Sequence, residues 1–113
     1  MAHHPWVKEF TGAVTTCDAQ GTIIEMNDKS AQVFEKWGGA ALVGKNIMDC
    51  HPEAARAKLQ TIMETQSPNL YTIEKDGQKK LIAQMPWHEN GEFRGLVEII
   101  LEIPHDMPHF VRS

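Results

Sequence analysis

The sequence predicts an α+β domain: a five-stranded antiparallel sheet with helices packed on one face. Three observations carry this. Two β-rich stretches, Ala13 to Cys17 and Thr22 to Met26, are joined by the turn Asp18-Ala19-Gln20-Gly21, and so short a link forces an antiparallel return. A middle third with helical spacing follows. The last third reads as strand, cut by Asp76-Gly77 and Asn90-Gly91, dipeptides that tolerate positive φ and close tight hairpins. Strands, then helices, then a meander of strands is the order of a sheet with its helices segregated to one face.

At the start, Pro5 to Phe10 suits a short helix, with proline at the first helical position and Gly12 just past the end. Trp6 and Phe10 lie four apart and share a face. Asn27 is a good N-cap with Asp28 in the first turn. Ser30, Val33, Phe34 and Trp37 follow at helical spacing, so they are expected on one face until Gly38-Gly39 stops the helix. Short helical turns are expected at Ala40 to Val43 and Ile47 to Cys50. The longest helix runs from Pro52 to Gln66 with the apolar stripe Ala55, Leu59, Ile62 and Met63, and Ser67-Pro68-Asn69 breaks it. Strands are expected at Leu70 to Lys75, Lys79 to Trp87 and Glu92 to Ile103.

A chain of 113 residues has room for one core. At this size it buries about 65% of its unfolded surface, enough for at most one small internal pocket. The formal net charge is −4 and no basic cluster exceeds Lys79-Lys80, which argues against nucleic acid and anionic membranes as partners. Cys17 and Cys50 make no disulfide framework, no apolar run is long enough to cross a bilayer, and the first residues lack the features of a signal peptide. A reducing cytoplasm is the expected location. His3-His4 reads as a tag remnant or a solvated terminus.

The stretch Asp18-Ala19-Gln20-Gly21-Thr22-Ile23-Ile24-Glu25-Met26-Asn27 resembles the signature of the PAS family: an aspartate, a turn glycine, a strand, then an asparagine opening a helix. Phe34 sits where that family carries a core aromatic. Leu42-Val43-Gly44-Lys45-Asn46, His51-Pro52-Glu53, Lys75-Asp76-Gly77 and Phe93-Arg94-Gly95-Leu96 are similar to its later steps in the same order. The resemblance divides the chain into an N-terminal helical cap (1–11), a PAS domain (12–104) and a tail (105–113). It implies a sheet wrapped around a few helices to enclose a small cavity, and a sensory or dimerising role.

The family's cofactor-bearing members can be compared position by position. Its light-sensing flavin members carry a cysteine directly after the asparagine of the Gly-Lys/Arg-Asn step, where this chain has Ile47. Its best-known haem sensors ligate iron through a histidine seven residues after the proline that opens the long helix, where this chain has Leu59, which offers no lone pair. His51 and His88 are the remaining candidate haem ligands, with a loop and a hairpin role as the plainer readings. The cofactor is thus left unassigned, with neither haem nor flavin expected. His105 and His109 have helical ligand spacing, but Pro108 disfavours a helix there. Asp49-Cys50-His51 are adjacent, and adjacent side chains diverge, so neither a metal site nor a nucleophilic pair is expected. The chain is expected to have no enzymatic activity.

The cavity implied by the resemblance would be lined by Phe34, Leu59, Ile62, Met63, Tyr71, Ile82, Gln84, Glu98 and Ile100 as ligand-binding residues. Two strand phases stay open. Simple patterning sends the apolar phase Leu81, Ala83, Met85, Trp87 with Val97, Ile99, Leu101, Ile103 inward. The resemblance implies the opposite, with Ile82, Gln84, Glu98 and Ile100 inward, and neighbouring donors such as Thr15, Thr16 or Tyr71 for Glu98. The outer face would then be an apolar patch covered by Trp6, Phe10 and a second subunit, with Val97, Ile99 and Leu101 at the dimer interface. Two functions follow: a sensor of a small, partly polar molecule, or a ligand-free interaction module. The initial Met1 points to a whole protein, which must then signal through an effector protein; in a fragment, Pro104 to Ser113 would lead toward one.

Overall fold

The computed structural model describes residues 4–113, Cys50 by its backbone alone; the reading of His3 and of the Cys50 thiol lies outside the described residues. In chain order the regular elements are α1 (Pro5–Lys8), β1 (Ala13–Cys17), β2 (Ile23–Met26), α2 (Asp28–Val33), α3 (Glu53–Thr65), β3 (Asn69–Lys75), β4 (Gln78–Glu89) and β5 (Glu92–Ile103), with 3₁₀ turns between α2 and α3. The strands form one antiparallel sheet in the order β2-β1-β5-β4-β3, so the first and last strands of the chain meet at its centre. This is the predicted α+β architecture.

Local chemistry accounts for the boundaries. The Asn27 side chain accepts the Ser30 N–H and opens α2. Gln66, in the left-handed conformation, returns its N–H to the Ile62 carbonyl and closes α3. Asp76 and Gly77 (φ 53° and 77°), like Asn90 and Gly91 (φ 53° and 80°), hold the paired positive φ that a two-residue hairpin needs.

One helical expectation fails. α2 ends at Val33 and the chain tightens into a 3₁₀ turn over Glu35–Trp37, so Val33, Phe34 and Trp37 line one groove but Ser30 does not join them. Winding at three residues per turn carries Trp37 away from buried Ser30, and the indole is left 49% exposed.

The strand phase is resolved against simple patterning. Ile82, Gln84, Leu96, Glu98 and Thr15 face the helices, around the core cluster of Cys17, Ile23, Leu42, Ile47, Leu59, Ile62 and Leu96. Leu81, Ala83, Val97, Ile99 and Leu101 lie on the opposite face, half-buried. The N-terminal segment meets that face at Leu101: a Cβ built on Gly12 would lie 2.6 Å from Leu101 Cδ2 and 2.8 Å from the Phe10 ring.

Asn27 fixes the segment there. Its Oδ1 also accepts the Val14 N–H at 2.9 Å, and its amide donates to the carbonyls of Val7 (3.0 Å), Gly12 (2.9 Å) and, more weakly, Phe10 (3.4 Å). A surface ion pair, Lys8 to Asp28 at 3.0 Å, lies alongside and raises the Lys8 pKa, by hydrogen bonding first and charge second. At the far end of β5, Gly95 (φ 145°) lets β1 close in: a Cβ there would sit 2.0 Å from the Cys17 carbonyl oxygen.

Candidate functional site

Four residues from four neighbouring strands lie opposite one another on the helix-facing side: Thr15 on β1, Glu98 on β5, Gln84 on β4 and Asn69 on β3. They form a polar row inside an otherwise apolar core. Asn69 Nδ2 donates to Gln84 Oε1 at 2.9 Å, and Gln84 Nε2 donates to Glu98 Oε2 at 2.8 Å. Gln84 is only 3% exposed, so both bonds offset a large desolvation cost. The Thr15 hydroxyl is bonded to that of Ser30.

His51 closes the row from above. It sits just before α3, with Nδ1 at 2.8 Å from the Ile47 carbonyl and Nε2 at 3.6 Å from Glu98 Oε2. A carbonyl only accepts, so Nδ1 carries a hydrogen. Nε2 faces the Glu98 carboxyl, so the two side chains form a polar contact across the row. Among the described residues, no buried side-chain nitrogen or oxygen lacks a hydrogen-bond partner.

Between the row and the helices lies a cavity of about 20 Å³. That is room for about one water, which needs ~10–15 Å³. Its walls include the expected Phe34, Leu59, Gln84 and Glu98, and also Thr15, Cys17, Ile23, Met26, Ile47, His51 and Leu96. A surface groove of about 210 Å³ shares Phe34, His51 and Glu98 with the cavity and takes in Tyr71, Ile82 and Ile100. Ile62 is plain core, and Met63 turns to a separate groove with Gln20, Asn46 and Gln60. The residues that sequence reasoning left out of the lining come from β1, β2 and β5 and from the segment before α3. His51 was visible as a loop residue before a proline and as a candidate haem ligand, not as a partner of Glu98, and Asn69 only as a helix breaker.

Two acidic hydrogens on this face are held tightly. Burial, and secondarily the Asp18 and Glu98 charges, raises the Cys17 thiol pKa. Burial first, then the Glu98 charge, raises that of the Tyr71 phenol. Leu59 and Ile47, at the positions compared with haem and flavin ligands, are buried aliphatic wall. Among the described residues, no group of three or more His, Cys, Asp or Glu side chains converges as a metal site. His88 packs edge-on to Phe93, and His105 hydrogen-bonds the Gly77 carbonyl. No helix among the described residues is long and apolar enough to cross a membrane. Of the residues expected at a dimer interface, Trp6 and Phe10 are exposed and meet edge-to-face at 5.8 Å, while Val97, Ile99 and Leu101 lie on the outer sheet face.

No family model matches the sequence. No curated protein sequence matches it either. Solved structures do match the fold. The PAS domain of BvgS from Bordetella pertussis superposes with a TM-score of 0.67 at 16% identity, over 89% of this chain and 83% of that one. A sensory box sensor histidine kinase from Vibrio cholerae gives 0.60 at 18% identity, over 88% of each chain. The Aer2 receptor from Vibrio cholerae, described as a dual PAS-haem oxygen sensor, gives 0.62 at 19%, over 83% and 96%.

Proposed function

For this chain, which has the PAS fold, we propose a role as a sensory signalling module that binds a small molecule against its polar row and passes the signal on as a dimer. The reading rests on one observation. Glu98, Gln84, Asn69 and His51 form a connected set inside an apolar core, where hydrogen-bonded neutral or apolar side chains would serve stability at least as well. A few polar groups in an apolar enclosure are how small-molecule sites gain selectivity. The module is non-catalytic and cytoplasmic in this reading, and its partners are a second copy and an effector protein.

It carries neither haem nor flavin, because Leu59 and Ile47 offer neither a ligand to iron nor a thiol to a flavin. An absorbance scan of the purified protein checks this; a Soret band near full occupancy overturns it.

The second reading, a ligand-free interaction module, is favoured by the cavity volume of about 20 Å³. The deciding experiment is native mass spectrometry of the full chain beside Glu98→Leu. A retained small molecule that disappears in the variant supports sensing. Bare protein in both cases, with a ligand profile untouched by the substitution, supports the filled core.

A further inference from the structure

The groove beside the polar row has a chemistry of its own. Its walls are apolar and wet: Trp37, Tyr71 and Ile73 are 49%, 41% and 39% exposed. Tyr71 and Ile73 lie on the sheet face that elsewhere is buried under helices, two and four residues along β3 from Asn69. The gap exists because α2 stops at Val33, and the 3₁₀ turn swings Trp37 to the rim in place of covering β3. The inner end is closed by His51 and Glu98.

The outer end is cationic. Lys75 and Lys80 line the groove, and the Lys36 ammonium lies 5.5 Å from the centre of the Trp37 ring. In a chain of net charge −4 this concentration of lysines is against the average. Glu102, opposite Lys80 in register, offsets part of one of them. The three zones therefore ask for an anion outside, a flat apolar body in the middle and a hydrogen-bond donor inside. A peptide segment does not fit a groove of only about 210 Å³. A cationic ligand meets the wrong charge at the mouth, where Lys75 and Lys80 stand.

We propose that this groove binds a small aromatic monocarboxylic acid bearing a ring hydroxyl or N–H. The carboxylate sits on Lys75 and Lys80, the ring lies among Phe34, Trp37 and Tyr71, and the ring donor reaches the Glu98–His51 end. This rests on the sensory reading above and names its ligand class.

The test uses the full chain and calorimetric titration with 4-hydroxyphenylacetate. The comparison probes are phenylacetate, which lacks the inner donor, 4-methylphenol, which lacks the carboxylate, and tyramine, which carries an ammonium in its place. A charge-assisted contact predicts that 4-hydroxyphenylacetate binds about tenfold more tightly than 4-methylphenol or tyramine. The Lys75→Ala/Lys80→Ala double variant then loses that advantage while its affinity for 4-methylphenol stays within about twofold; Lys75 is exposed and Lys80 half-buried, and an unchanged circular dichroism spectrum checks that the fold is kept. Removing the hydroxyl weakens binding in the parent and not in Glu98→Leu. Equal binding of the acid and 4-methylphenol, preference for tyramine, or no binding of any probe each overturns the ligand class. If the class fails while native mass spectrometry still finds a molecule lost in Glu98→Leu, the sensory reading stands; if that molecule is missing too, both fall.

Discussion

Asn27 shows how much one side chain can hold. Its carbonyl oxygen serves Val14 and Ser30, and its amide serves the carbonyls of Val7, Gly12 and Phe10, so α1, β1 and α2 all converge on it. Asn27→Ala is expected to cost about 3 kcal/mol, a lost cap plus several buried bonds, read from urea denaturation. Asn27→Asp separates the two halves of the role. It keeps the acceptor for Ser30, so α2 persists, but turns a carboxylate toward the Val7 and Gly12 carbonyls. Limited proteolysis should then cut near the N-terminal segment while far-ultraviolet dichroism is unchanged; a resistant segment counts against the assignment. The capping role was legible from Asn27-Asp28 in the sequence. The tie to residues twenty positions earlier was not, because it depends on where the N-terminal segment crosses the sheet.

Cys17 gives a pH dependence. Its thiol pKa is raised by burial above the ordinary value of 9.0, so above about that pH the unfolded chain releases the proton first and the folded chain retains it. Stability therefore falls as pH rises through this window, since the native state binds more protons there. The urea midpoint should drop between neutral pH and the region above 9.0, and Cys17→Ala should flatten the early part of that fall. An unchanged early slope would mean that Tyr71 and other groups carry it.

At the scale of elements, the informative feature is the alternation of β4 and β5. Counting apolar residues picked the wrong face, because the outer side is apolar too and the N-terminal segment meets it only around Leu101. The resemblance to a family picked the right one, since it carries information about what packs on each side. Glu98→Leu tests the inward phase by stability as well as by ligand. Glu98 is partnered, so the substitution leaves the 3% exposed Gln84 amide short of an acceptor. The expected cost is about 1–3 kcal/mol in the absence of ligand. A change below ~0.5 kcal/mol is what an ordinary surface site gives, and would remove Glu98 from the interior. Gly95→Ala probes the other end of β5. A Cβ placed 2.0 Å from the Cys17 carbonyl must displace backbone, so a loss above about 3 kcal/mol is expected from thermal or urea unfolding.

At the scale of the whole molecule, the outer side of the sheet carries an apolar patch. Val97, Ile99 and Leu101 are half-buried there, Met85 and Leu70 are exposed, and Trp6 and Phe10 border the patch. A second copy would cover it. Deleting Met1 to Thr11 is expected to lower the sedimenting mass from dimer to monomer and to raise binding of a hydrophobic dye. The milder pair Trp6→Ala and Phe10→Ala leaves the Asn27 bonds to backbone in place and should do the same. An unchanged mass in both variants rules out the N-terminal segment as part of the interface.

The central pairing of β1 with β5 has a mechanical side. Ala13 lies opposite Ile100, so the chain enters β1 and leaves β5 at the same end of the same pair of strands. Tension applied through the two flanking segments does not shear this ladder as a block; it peels it from that end, one rung at a time. The rungs part in the order Ala13–Ile100, Val14–Ile99, Thr15–Glu98. Within this ladder a pull on the ends thus reaches the polar row at the third rung, while β4 holds the other edge of β5 from Ile103 inward.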